Sequence, residues 1–346
     1  MKIGKRIIGD KSSTFIIAEI GQAHDGSLGM AHSFIDAVAD TGADAVKFQT
    51  HIAESESTLD EPFRKKFSLQ DKTRFDYWKR MEFTSKQWLE LKKHAEKLGL
   101  IFLSSAFSVE AAKLLYKNGI KAWKIGSGEV DLNNPLIEYM VQTKLPIILS
   151  SGLAQNIELK KILNMFNEKL VNYSLLQCTS KYPTPLEEIG LNVIEKYKKD
   201  YKCSVGLSDH SGTIWPGLAV VGKKIDIFEC HVVFDKRMFG PDTKASITFE
   251  ELKIIVDFRN NLKIMETHPN NKELDLKKMG KMRKTFGKSL ALLNDIKKGT
   301  VIKSEMLTAK KPGTGIPLAS KKNIIGKKAK KDLYSNRLLS LSDFGV

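Results

Sequence analysis

The chain has 346 residues and a formal net charge of +16. No stretch approaches the roughly 20 consecutive apolar residues that a membrane-spanning helix requires, and no long apolar run follows the first residues as it would in a secretory signal. The three cysteines are too few and too widely spaced for a disulfide framework or a cysteine-type zinc site. We therefore expect a cytoplasmic protein with no membrane partner.

Positive charge is concentrated toward the C-terminus, where residues 283–346 carry 15 Lys or Arg and 4 Asp or Glu. A basic segment of this kind can bind nucleic acid. No zinc finger, basic zipper or aromatic RNA-reading motif accompanies it, so solvated lysines are the simpler interpretation. We expect no nucleic-acid partner.

Eight short apolar runs alternate with amphipathic helical patterns such as Leu28–Thr41 and Thr84–Leu98, and Gly42, Gly99 and Gly119 stand where helices should end. Runs that are apolar throughout are typical of parallel strands covered by helices. Eight such units over about 265 residues predict a closed (β/α)8 barrel, the TIM barrel, rather than an open doubly wound sheet. The predicted strands are Phe15–Gly21, Asp44–Thr50, Leu100–Ala106, Ala122–Gly128, Pro146–Gly152, Tyr173–Ser180, Ser204–Ser211 and Ile227–Phe234.

One connection, residues 51–83, is much longer than the others and contains the aromatic pair Tyr77 and Trp78. Long connections after barrel strands usually carry function. A surface excursion with its own small aromatic core explains the same pattern, and the sequence leaves both interpretations open.

A second, smaller unit begins near Gly287. The turn signal at 295–301 and the Pro/Gly loop Lys311–Gly315 indicate short strands joined by tight turns. About sixty residues bury only a small core, so this unit is expected to dock on something. We expect a barrel over residues 1–270, a linker over 271–285 and a small β-rich domain over 286–346.

Polar residues stand at the C-terminal end of every predicted strand. Side chains at these ends face the active site of a barrel enzyme, and charged groups are rarely buried unless they are paired. The pattern therefore predicts an active site at this end of the barrel. The residues are Glu19, Lys47, Gln49, Ser104, Ser105, Lys124, Ser127, Glu129, Ser150, Ser151, Thr179, Ser180, Ser208, His210 and His231.

Two lysines, Lys47 and Lys124, stand on the second and fourth predicted strands, where they can converge on one anion. The serines of neighbouring strand ends add donors, and phosphate and carboxylate oxygens favour such charge-assisted hydrogen bonds. This composition indicates a small, doubly anionic substrate. A Schiff-base lysine is the competing use of either side chain.

Two histidines, His210 and His231, end the neighbouring seventh and eighth strands. Two imidazoles with oxygen ligands nearby can hold a divalent metal and leave positions open for substrate. The carboxylates of Asp209 and Asp242 can orient these imidazoles or bind a sugar. His24 is interpreted as a turn residue and stays outside the catalytic set.

Several short motifs stand in a fixed order along the chain, and each is weak alone. They are Ala18-Glu19-Ile20-Gly21, Lys47-Phe48-Gln49-Thr50, Lys124-Ile125-Gly126-Ser127-Gly128-Glu129, Gln177-Cys178-Thr179, Tyr182-Pro183-Thr184-Pro185, Gly206-Leu207-Ser208-Asp209-His210 and Gly240-Pro241-Asp242. Together they closely resemble the sialic acid synthase (nonulosonate synthase) family over nearly the whole chain. The second unit, with Lys311-Pro312-Gly313-Thr314-Gly315, resembles the antifreeze-like (SAF) domain that ends these enzymes.

The resemblance implies an enzyme that condenses phosphoenolpyruvate with an N-acylated amino sugar such as N-acetylmannosamine and releases phosphate by C–O cleavage. A legionaminate- or pseudaminate-type synthase, acting on a di-N-acetylated deoxy sugar, is the alternative. Another phosphoenolpyruvate–aldose synthase making a shorter sugar acid lacks the second unit. A non-catalytic carbohydrate- or nucleic-acid-binding protein is a remote alternative, against which the intact strand ends speak.

The resemblance also implies roles for individual residues. Mn²⁺, or another divalent metal such as Mg²⁺ or Co²⁺, is expected on His210 and His231. Glu19 and Gln49 are expected to position the sugar and the reacting water, with Tyr182 on the sugar side. The phosphoenolpyruvate site and the rest of the substrate site are expected to use Lys47, Lys124, Ser105, Ser127, Glu129, Ser150, Ser208 and Asp242.

Three positions depart from the family pattern. The first-strand motif often reads Asn-His-Asn where this chain has Ala23-His24-Asp25, and Cys230 stands where Arg is frequent. Lys311 replaces an Arg that reaches the N-acyl group, and lysine is a point charge rather than a planar fork. The resemblance implies a domain-swapped homodimer in which this loop caps the partner's barrel, so Lys311 is expected to contact the sugar.

Overall fold

In a computed structural model, the chain divides into two compact units, Met1–Glu266 and Thr267–Val346. The structure describes residues 1–9, 12–63 and 66–345. Val346, with which the expected small domain ends, lies outside the described residues.

The first unit is a barrel of eight parallel strands, as the apolar runs predict. It is closed because the last strand pairs in parallel with both the first and the seventh. The predicted TIM barrel is therefore confirmed. The strands are Phe15–Gly21 (β3), Ala45–Thr50 (β4), Ile101–Ala106 (β5), Trp123–Ile125 (β6), Ile147–Ser150 (β7), Tyr173–Cys178 (β8), Ser204–Asp209 (β9) and Ile227–Val233 (β10).

Three short strands accompany the barrel. Lys2–Ile3 (β1) and Arg6–Ile7 (β2) form an antiparallel hairpin ahead of it, and Ser246–Thr248 (β11) pairs in parallel with the end of β10. The sixth strand, β6, is shorter than the predicted run because the chain turns into a 3-10 helix at Ser127–Glu129.

Helices cover the outside of the barrel, and their ends follow the expected capping residues. The first helix begins after Ser27, whose hydroxyl accepts from the amide of Met30, and ends at Gly42 in the left-handed region that glycine adopts without strain. The helices of this unit are Leu28–Thr41 (α1), Ala53–Glu56 (α2), Arg74–Met81 (α3), Ser85–Lys97 (α4), Val109–Lys117 (α5), Pro135–Gln142 (α6), Asn156–Glu168 (α7), Leu191–Asp200 (α8), Trp215–Gly222 (α9) and Phe249–Thr267 (α10).

Side chains alternate along each strand, so every second residue faces the barrel interior. The lowest interior layer is apolar and is joined by Ile3 and Ile8 from the hairpin region. Gly206 belongs to this level because a Cβ there would lie 2.1 Å from the carbonyl oxygen of Ile227. The apolar layer comprises Phe15, Ile17, Ala45, Leu103, Ala122, Ile148, Leu176 and Ile227.

The long connection after β4 forms two helices, α2 and α3, and a small core of its own. Ala53, Tyr77, Trp78 and Met81 are buried there, with three phenylalanines packed against them. The connection therefore has the small aromatic core of its own that one interpretation predicted. The same segment also lines the cavity at the C-terminal ends of the strands.

The second unit combines two helices with two small antiparallel sheets. Segment 271–285, expected as a linker, is largely helical and belongs to this unit. Ten buried apolar residues form its core. Its elements are Lys272–Lys278 (α11), Gly280–Phe286 (α12), Ser289–Leu292 (β12), Leu307–Lys310 (β13), Lys328–Ala329 (β14) and Phe344–Gly345 (β15).

Across the described parts of both units, no helix combines the length and the apolar character that crossing a membrane demands.

Candidate active site

A cavity of about 800 Å³ opens at the C-terminal ends of the barrel strands. The structure brings together here every residue of the first unit to which the family resemblance gives a role, whereas the strand-end residues Ser104, Ser151 and Thr179 are not part of its lining. Lys311 belongs to the second unit, and its expected contact with the sugar stays a prediction. The predicted residues that line the cavity are Glu19, Lys47, Gln49, Ser105, Lys124, Ser127, Glu129, Ser150, Tyr182, Ser208, His210, His231 and Asp242.

The floor of the cavity is the next interior layer, two residues beyond the apolar one on each strand. The strand period that buries the apolar layer therefore also places these polar side chains inside the barrel. Charged groups tolerate that position only when they are paired. The floor residues are Glu19, Lys47, Ser105, Lys124, Ser150, Cys178, Ser208 and Glu229.

Lys47 is held as a cation by two carboxylates. Its Nζ atom lies 2.6 Å from Oε2 of Glu19 and 3.6 Å from Oε1 of Glu229. Burial alone would lower the pKa of Lys47, but these two carboxylates raise it above the ordinary value for lysine. A hydrogen bond of 3.4 Å to the hydroxyl of Ser105 completes its surroundings.

Lys124 has fewer carboxylate partners than Lys47. Its Nζ atom donates to the hydroxyl of Ser150 at 2.8 Å and lies 3.6 Å from Oε1 of Glu229. Burial, with a contribution from the charge of Lys47, lowers the pKa of Lys124 although Glu229 opposes the shift. Lys124 is thus the cation of the floor that gains most from an incoming anion.

Glu229 was not among the predicted site residues, yet it connects the floor. Its Oε1 atom lies near both lysines and accepts a hydrogen bond of 3.1 Å from Ser208. Burial opposes its charge, but the two lysines hold its pKa below the usual range. The sequence could have indicated this position. Glu229 stands two residues before His231 on a fully buried strand, so both side chains must point to the barrel interior.

The two histidines face each other across the cavity, with ring centroids 5.4 Å apart. Nδ1 of His210 lies 3.3 Å from the carbonyl oxygen of Thr179, which only accepts, so Nδ1 carries the proton. Nε2 therefore presents a lone pair toward the cavity, where the hydroxyl of Tyr182 lies 3.1 Å away. Burial and the neighbouring His231 lower the pKa of His210 to about 3, so its imidazole is neutral.

These features suit a divalent metal ion. A metal-ligating histidine usually donates its second ring N–H to a carbonyl, as His210 does to Thr179. Among residues 1–9, 12–63 and 66–345, no group of three or more His, Cys, Asp or Glu side chains is arranged to hold an ion. A metal bound by His210 and His231 would therefore keep its remaining positions for substrate oxygens or water.

Asp209, which could have oriented the imidazoles, is hydrogen-bonded to Ser211 instead. Asp209 points away from the cavity because it lies between Ser208 and His210 in a strand whose side chains alternate. Its carboxylate accepts from the amide and the hydroxyl of Ser211 at 3.1 and 2.8 Å. Burial raises the pKa of Asp209 to about 6.

The sugar-side candidates lie higher in the cavity. Burial raises the pKa of Glu129, which accepts a hydrogen bond of 3.1 Å from Asn134. The hydroxyls of Ser127 and Ser180 lie 2.9 Å apart. Asp242 lines the same wall as Glu129.

The 51–83 connection supplies an aromatic wall that the sequence did not assign to the site. Trp78 donates its indole N–H to Glu61 at 2.9 Å, and Arg74 pairs with Glu61 at 3.0 Å. No periodic pattern marks these positions, so only their place in a long connection pointed to them. The connection contributes His51, Glu56, Glu61, Phe63, Phe67, Arg74, Tyr77 and Trp78 to this wall, and Phe107, which follows β5, completes it.

His24, kept out of the catalytic set, does not line this cavity. Its ring is buried against Phe83, with centroids 4.9 Å apart, and its Nδ1 atom accepts from the amide of Gly26 at 3.1 Å. Its other nitrogen, Nε2, is buried without a hydrogen-bond partner among the described residues.

The chain is similar over most of its length to known sugar-acid synthases. N,N'-diacetyllegionaminic acid synthase of Campylobacter jejuni is 35% identical over 94% of this chain and 98% of its own length. Pseudaminic acid synthase of the same species is 35% identical over 95% of this chain and 96% of its own. The crystal structure of N-acetylneuraminic acid synthetase from Leptospira borgpetersenii, in complex with citrate, has a TM-score of 0.69 at 29% identity, covering 83% of this chain and 96% of that one.

Two family models also match the chain. The SAF domain model matches residues 287–345, within the second unit. The NeuB family model matches residues 34–271, more than half of the chain. The protein therefore belongs to the NeuB family of nonulosonate synthases.

Proposed function

We propose that this chain condenses phosphoenolpyruvate with the open-chain aldehyde of an N-acylated amino sugar and releases inorganic phosphate. The observation that carries the proposal is the pair of buried lysines, Lys47 and Lys124, on the cavity floor beside two imidazoles. The ammonium groups of these lysines can bind a small anion, and the two imidazoles line the same cavity. The relatives named above are synthases of related nine-carbon sugar acids, which agrees with this chemistry.

The anion site is proposed to form around Lys124. Its ammonium and the hydroxyl of Ser150 are already 2.8 Å apart, so both can donate to one phosphate or carboxylate oxygen without rearrangement. Ser105 and Lys47 offer a second donor pair beside it, because Ser105 is the register partner of Lys124 on the neighbouring strand. Glu19 and Glu229 balance the charges of the two lysines in the free protein. Lys47 has Glu19 as a close partner, whereas Lys124 only shares Glu229 with Lys47, so Lys124 is the lysine that an incoming anion would pair with.

The aldehyde is proposed to lie between the imidazoles and the Glu19–Gln49 pair. A divalent metal on His210 and His231, Mn²⁺ by preference or Mg²⁺ or Co²⁺, would supply Lewis-acid polarisation of the aldehyde oxygen. Gln49 donates to Oε1 of Glu19 at 2.8 Å, which holds that carboxylate toward the reacting carbon and water. Gly21 stands beside this pair in the left-handed backbone region, with φ of 55°, which glycine adopts without strain.

The bonds balance as follows. C3 of phosphoenolpyruvate forms the new carbon–carbon bond to the aldehyde carbon, and the aldehyde oxygen becomes a hydroxyl. Water adds at C2, and the C2–O bond to phosphate breaks, so the bridging oxygen leaves with phosphate. Glu19 is proposed to take the proton from that water, because contacts with Nζ of Lys47 at 2.6 Å and with the amide of Gln49 at 2.8 Å hold its carboxylate in place.

The aromatic wall favours a second candidate substrate, a di-N-acetylated 6-deoxy sugar in place of N-acetylmannosamine. Phe63, Phe67, Tyr77 and Trp78 present apolar surface to the cavity. A methyl group or an acetyl methyl packs on such a surface with a gain of about 0.8 kcal/mol per buried carbon, whereas a hydroxyl needs a polar partner. Both substrates use the same floor and the same chemistry.

The experiment is a phosphate-release assay with Mn²⁺, phosphoenolpyruvate and a panel of N-acylated amino sugars that includes both candidates. Phosphoenolpyruvate labelled with ¹⁸O in the bridge should place the label in phosphate. Label in the keto-acid product would contradict the proposed bond cleavage. No phosphate release with any sugar of the panel would contradict the proposed function itself.

A further inference from the structure

A chain of hydrogen bonds runs from the 51–83 connection to the ion pair on the cavity floor. The mechanism above uses only its inner half. The residues of the outer half line the cavity wall and touch neither floor lysine directly. From the outside inward, the members are Glu56, His51, Gln22, Gln49, Glu19 and Lys47.

The imidazole of His51 is fixed in one orientation. It lies stacked between two aromatic rings, with its centroid 4.0 Å from that of Trp78 and 4.5 Å from that of Phe107, both within 15° of parallel. Its ring is 2% exposed. The ring therefore cannot turn without opening the aromatic wall.

Hydrogen bonds also determine the tautomer of His51. Nδ1 lies 2.5 Å from Oε1 of Glu56, and the other oxygen of that carboxylate accepts from the amide of Ile52 at 3.3 Å. A carboxylate oxygen accepts hydrogen bonds, so this short contact assigns the ring proton of His51 to Nδ1. Nε2 then has a lone pair, which accepts from Nε2 of Gln22 at 2.8 Å.

The orientation is passed on through two amides. The side-chain nitrogen of Gln22 donates to both His51 and Oε1 of Gln49, which uses both of its protons. Gln49 therefore turns its own nitrogen toward Glu19, to which it donates at 2.8 Å. Each amide has one orientation in which every partner is matched, and buried amides are costly to leave unmatched.

We infer that Glu56, His51 and Gln22 form a positioning relay that sets the amide orientation of Gln49 and, through it, the carboxylate of Glu19. The relay touches no substrate in the proposed mechanism and acts only through Gln49. This inference rests on the proposed function for its effect on rate, and on the structure alone for its hydrogen-bond pattern.

The variant that isolates the relay is His51→Phe. It keeps an aromatic ring between Trp78 and Phe107 and removes both hydrogen bonds. We expect kcat to fall by about tenfold or more, because a misplaced group costs that much in a preorganised site. KM for phosphoenolpyruvate should hardly change, since Lys124 and Ser150 are untouched.

A double-mutant cycle with Gln22→Met separates a relay from a merely structural role. If His51 acts through Gln22, the double variant should be no slower than the slower of the two single variants. Glu56→Gln keeps an acceptor for Nδ1 and should retain most of the activity, whereas Glu56→Leu should behave like His51→Phe. Glu54→Gln, on the exposed side of the same short helix, is the matched control and should be neutral.

Nitrogen NMR of histidine-labelled protein tests the relay without any substrate. We expect His51 with a protonated Nδ1 and a bare Nε2, and a Gln22 side-chain amide whose exchange protection is lost in His51→Phe. Where a variant unfolds, this spectrum of the wild-type protein still decides. The opposite tautomer, additive rate losses in the cycle, or a normal kcat in folded His51→Phe would overturn the relay. A wild type without synthase activity that shows the expected spectrum would instead count against the proposed function.

Discussion

Lys47 and Lys124 share one counter-ion: Oε1 of Glu229 lies 3.6 Å from the Nζ atom of each. The stability of the free site therefore depends on the charge of Glu229, which compensates two buried cations. Removing one partner of a buried ion pair usually costs about 3–5 kcal/mol, because the other charge stays buried without compensation.

The first prediction concerns Glu229→Gln. This change keeps the size of the side chain and removes the shared charge, so the free energy of unfolding should fall by about 3 kcal/mol. The more positive floor should bind phosphoenolpyruvate more tightly, and added phosphoenolpyruvate should therefore raise the Tm of the variant more than that of the wild type. Thermal unfolding with and without phosphoenolpyruvate measures both effects.

The matched control for this measurement is Glu54→Gln. Glu54 pairs with Lys79 at the surface, where solvent screens the charge, so its loss should leave Tm almost unchanged. An unaltered Tm in Glu229→Gln, or a variant that no longer responds to phosphoenolpyruvate, would show that the shared-counter-ion account is wrong.

The second prediction concerns the metal. Chelation should abolish phosphate release and Mn²⁺ should restore it, because the aldehyde would lose the Lewis acid that His210 and His231 are expected to hold. His210→Ala should lose both bound metal and turnover. Metal content by mass spectrometry, beside the assay, checks the first loss independently of the second. Tyr182→Phe removes the hydroxyl 3.1 Å from Nε2 and should keep the metal. Full activity in chelated protein would contradict this prediction.

The strand period explains how far the sequence could predict this site. Glu19, Lys47, Lys124, Ser208 and the two histidines interrupt apolar strands, so their place at one end of the barrel followed from the fold alone. Glu229 follows the same rule, because it stands two residues before His231 on the same strand, although it was not among the predicted site residues. The outcome differs for Asp209, because it stands one residue out of phase and faces Ser211 instead of the cavity.

Residues of the long connection could not be placed in the same way. His51, Glu56 and Trp78 reach the cavity through the packing of two short helices whose positions depend on tertiary contacts rather than on local periodicity. A sequence pattern indicates which face of a strand is buried, but not which loop side chains a neighbouring strand will meet. The hydrogen-bonded relay therefore has no signature in the sequence.

The third prediction concerns stability in acid. Burial, with smaller effects from His51 and Arg80, lowers the pKa of His24 to about 3. An unfolded histidine has a pKa near 6.5, so below that pH the unfolded chain binds the extra proton and the folded protein loses stability as pH falls toward 3. At pH 5 the loss attributable to His24 is about 2 kcal/mol.

His24→Asn tests this dependence. Its carbonyl oxygen can take the place of Nδ1 as acceptor for the amide of Gly26, and asparagine does not titrate. Between pH 7 and pH 5, the unfolding free energy of the variant should therefore fall less than that of the wild type. Denaturant unfolding at both pH values gives the comparison. Equal pH dependence in the two proteins would assign the acid sensitivity to other groups.

The fourth prediction concerns Lys311 in the second unit. Its loop is fixed there by Ser289, whose hydroxyl donates to the carbonyl of Pro312 at 2.7 Å and accepts from the amide of Gly315 at 2.8 Å. If Lys311 contacts the sugar, Lys311→Ala should raise KM for the amino sugar about tenfold, the loss of one charge-assisted hydrogen bond, and leave KM for phosphoenolpyruvate unchanged. Lys311→Arg keeps the charge and should stay close to the wild type.

The last prediction tests whether that loop acts in a partner subunit of a domain-swapped homodimer. Lys47→Ala destroys the barrel site of its own subunit, and Lys311→Glu places a repelling charge in its own loop. In a mixed dimer, the intact loop of the Lys47→Ala subunit would cover the intact barrel of the Lys311→Glu subunit. Random mixing makes half of the dimers mixed, each with one complete site, so about a quarter of wild-type activity should return. Assayed at an amino-sugar concentration well below KM, Lys47→Ala alone should be inactive and Lys311→Glu alone strongly impaired. If the loop serves its own barrel, neither subunit of a mixed dimer has a complete site, and the absence of rescue in dimers shown to be mixed would establish that arrangement.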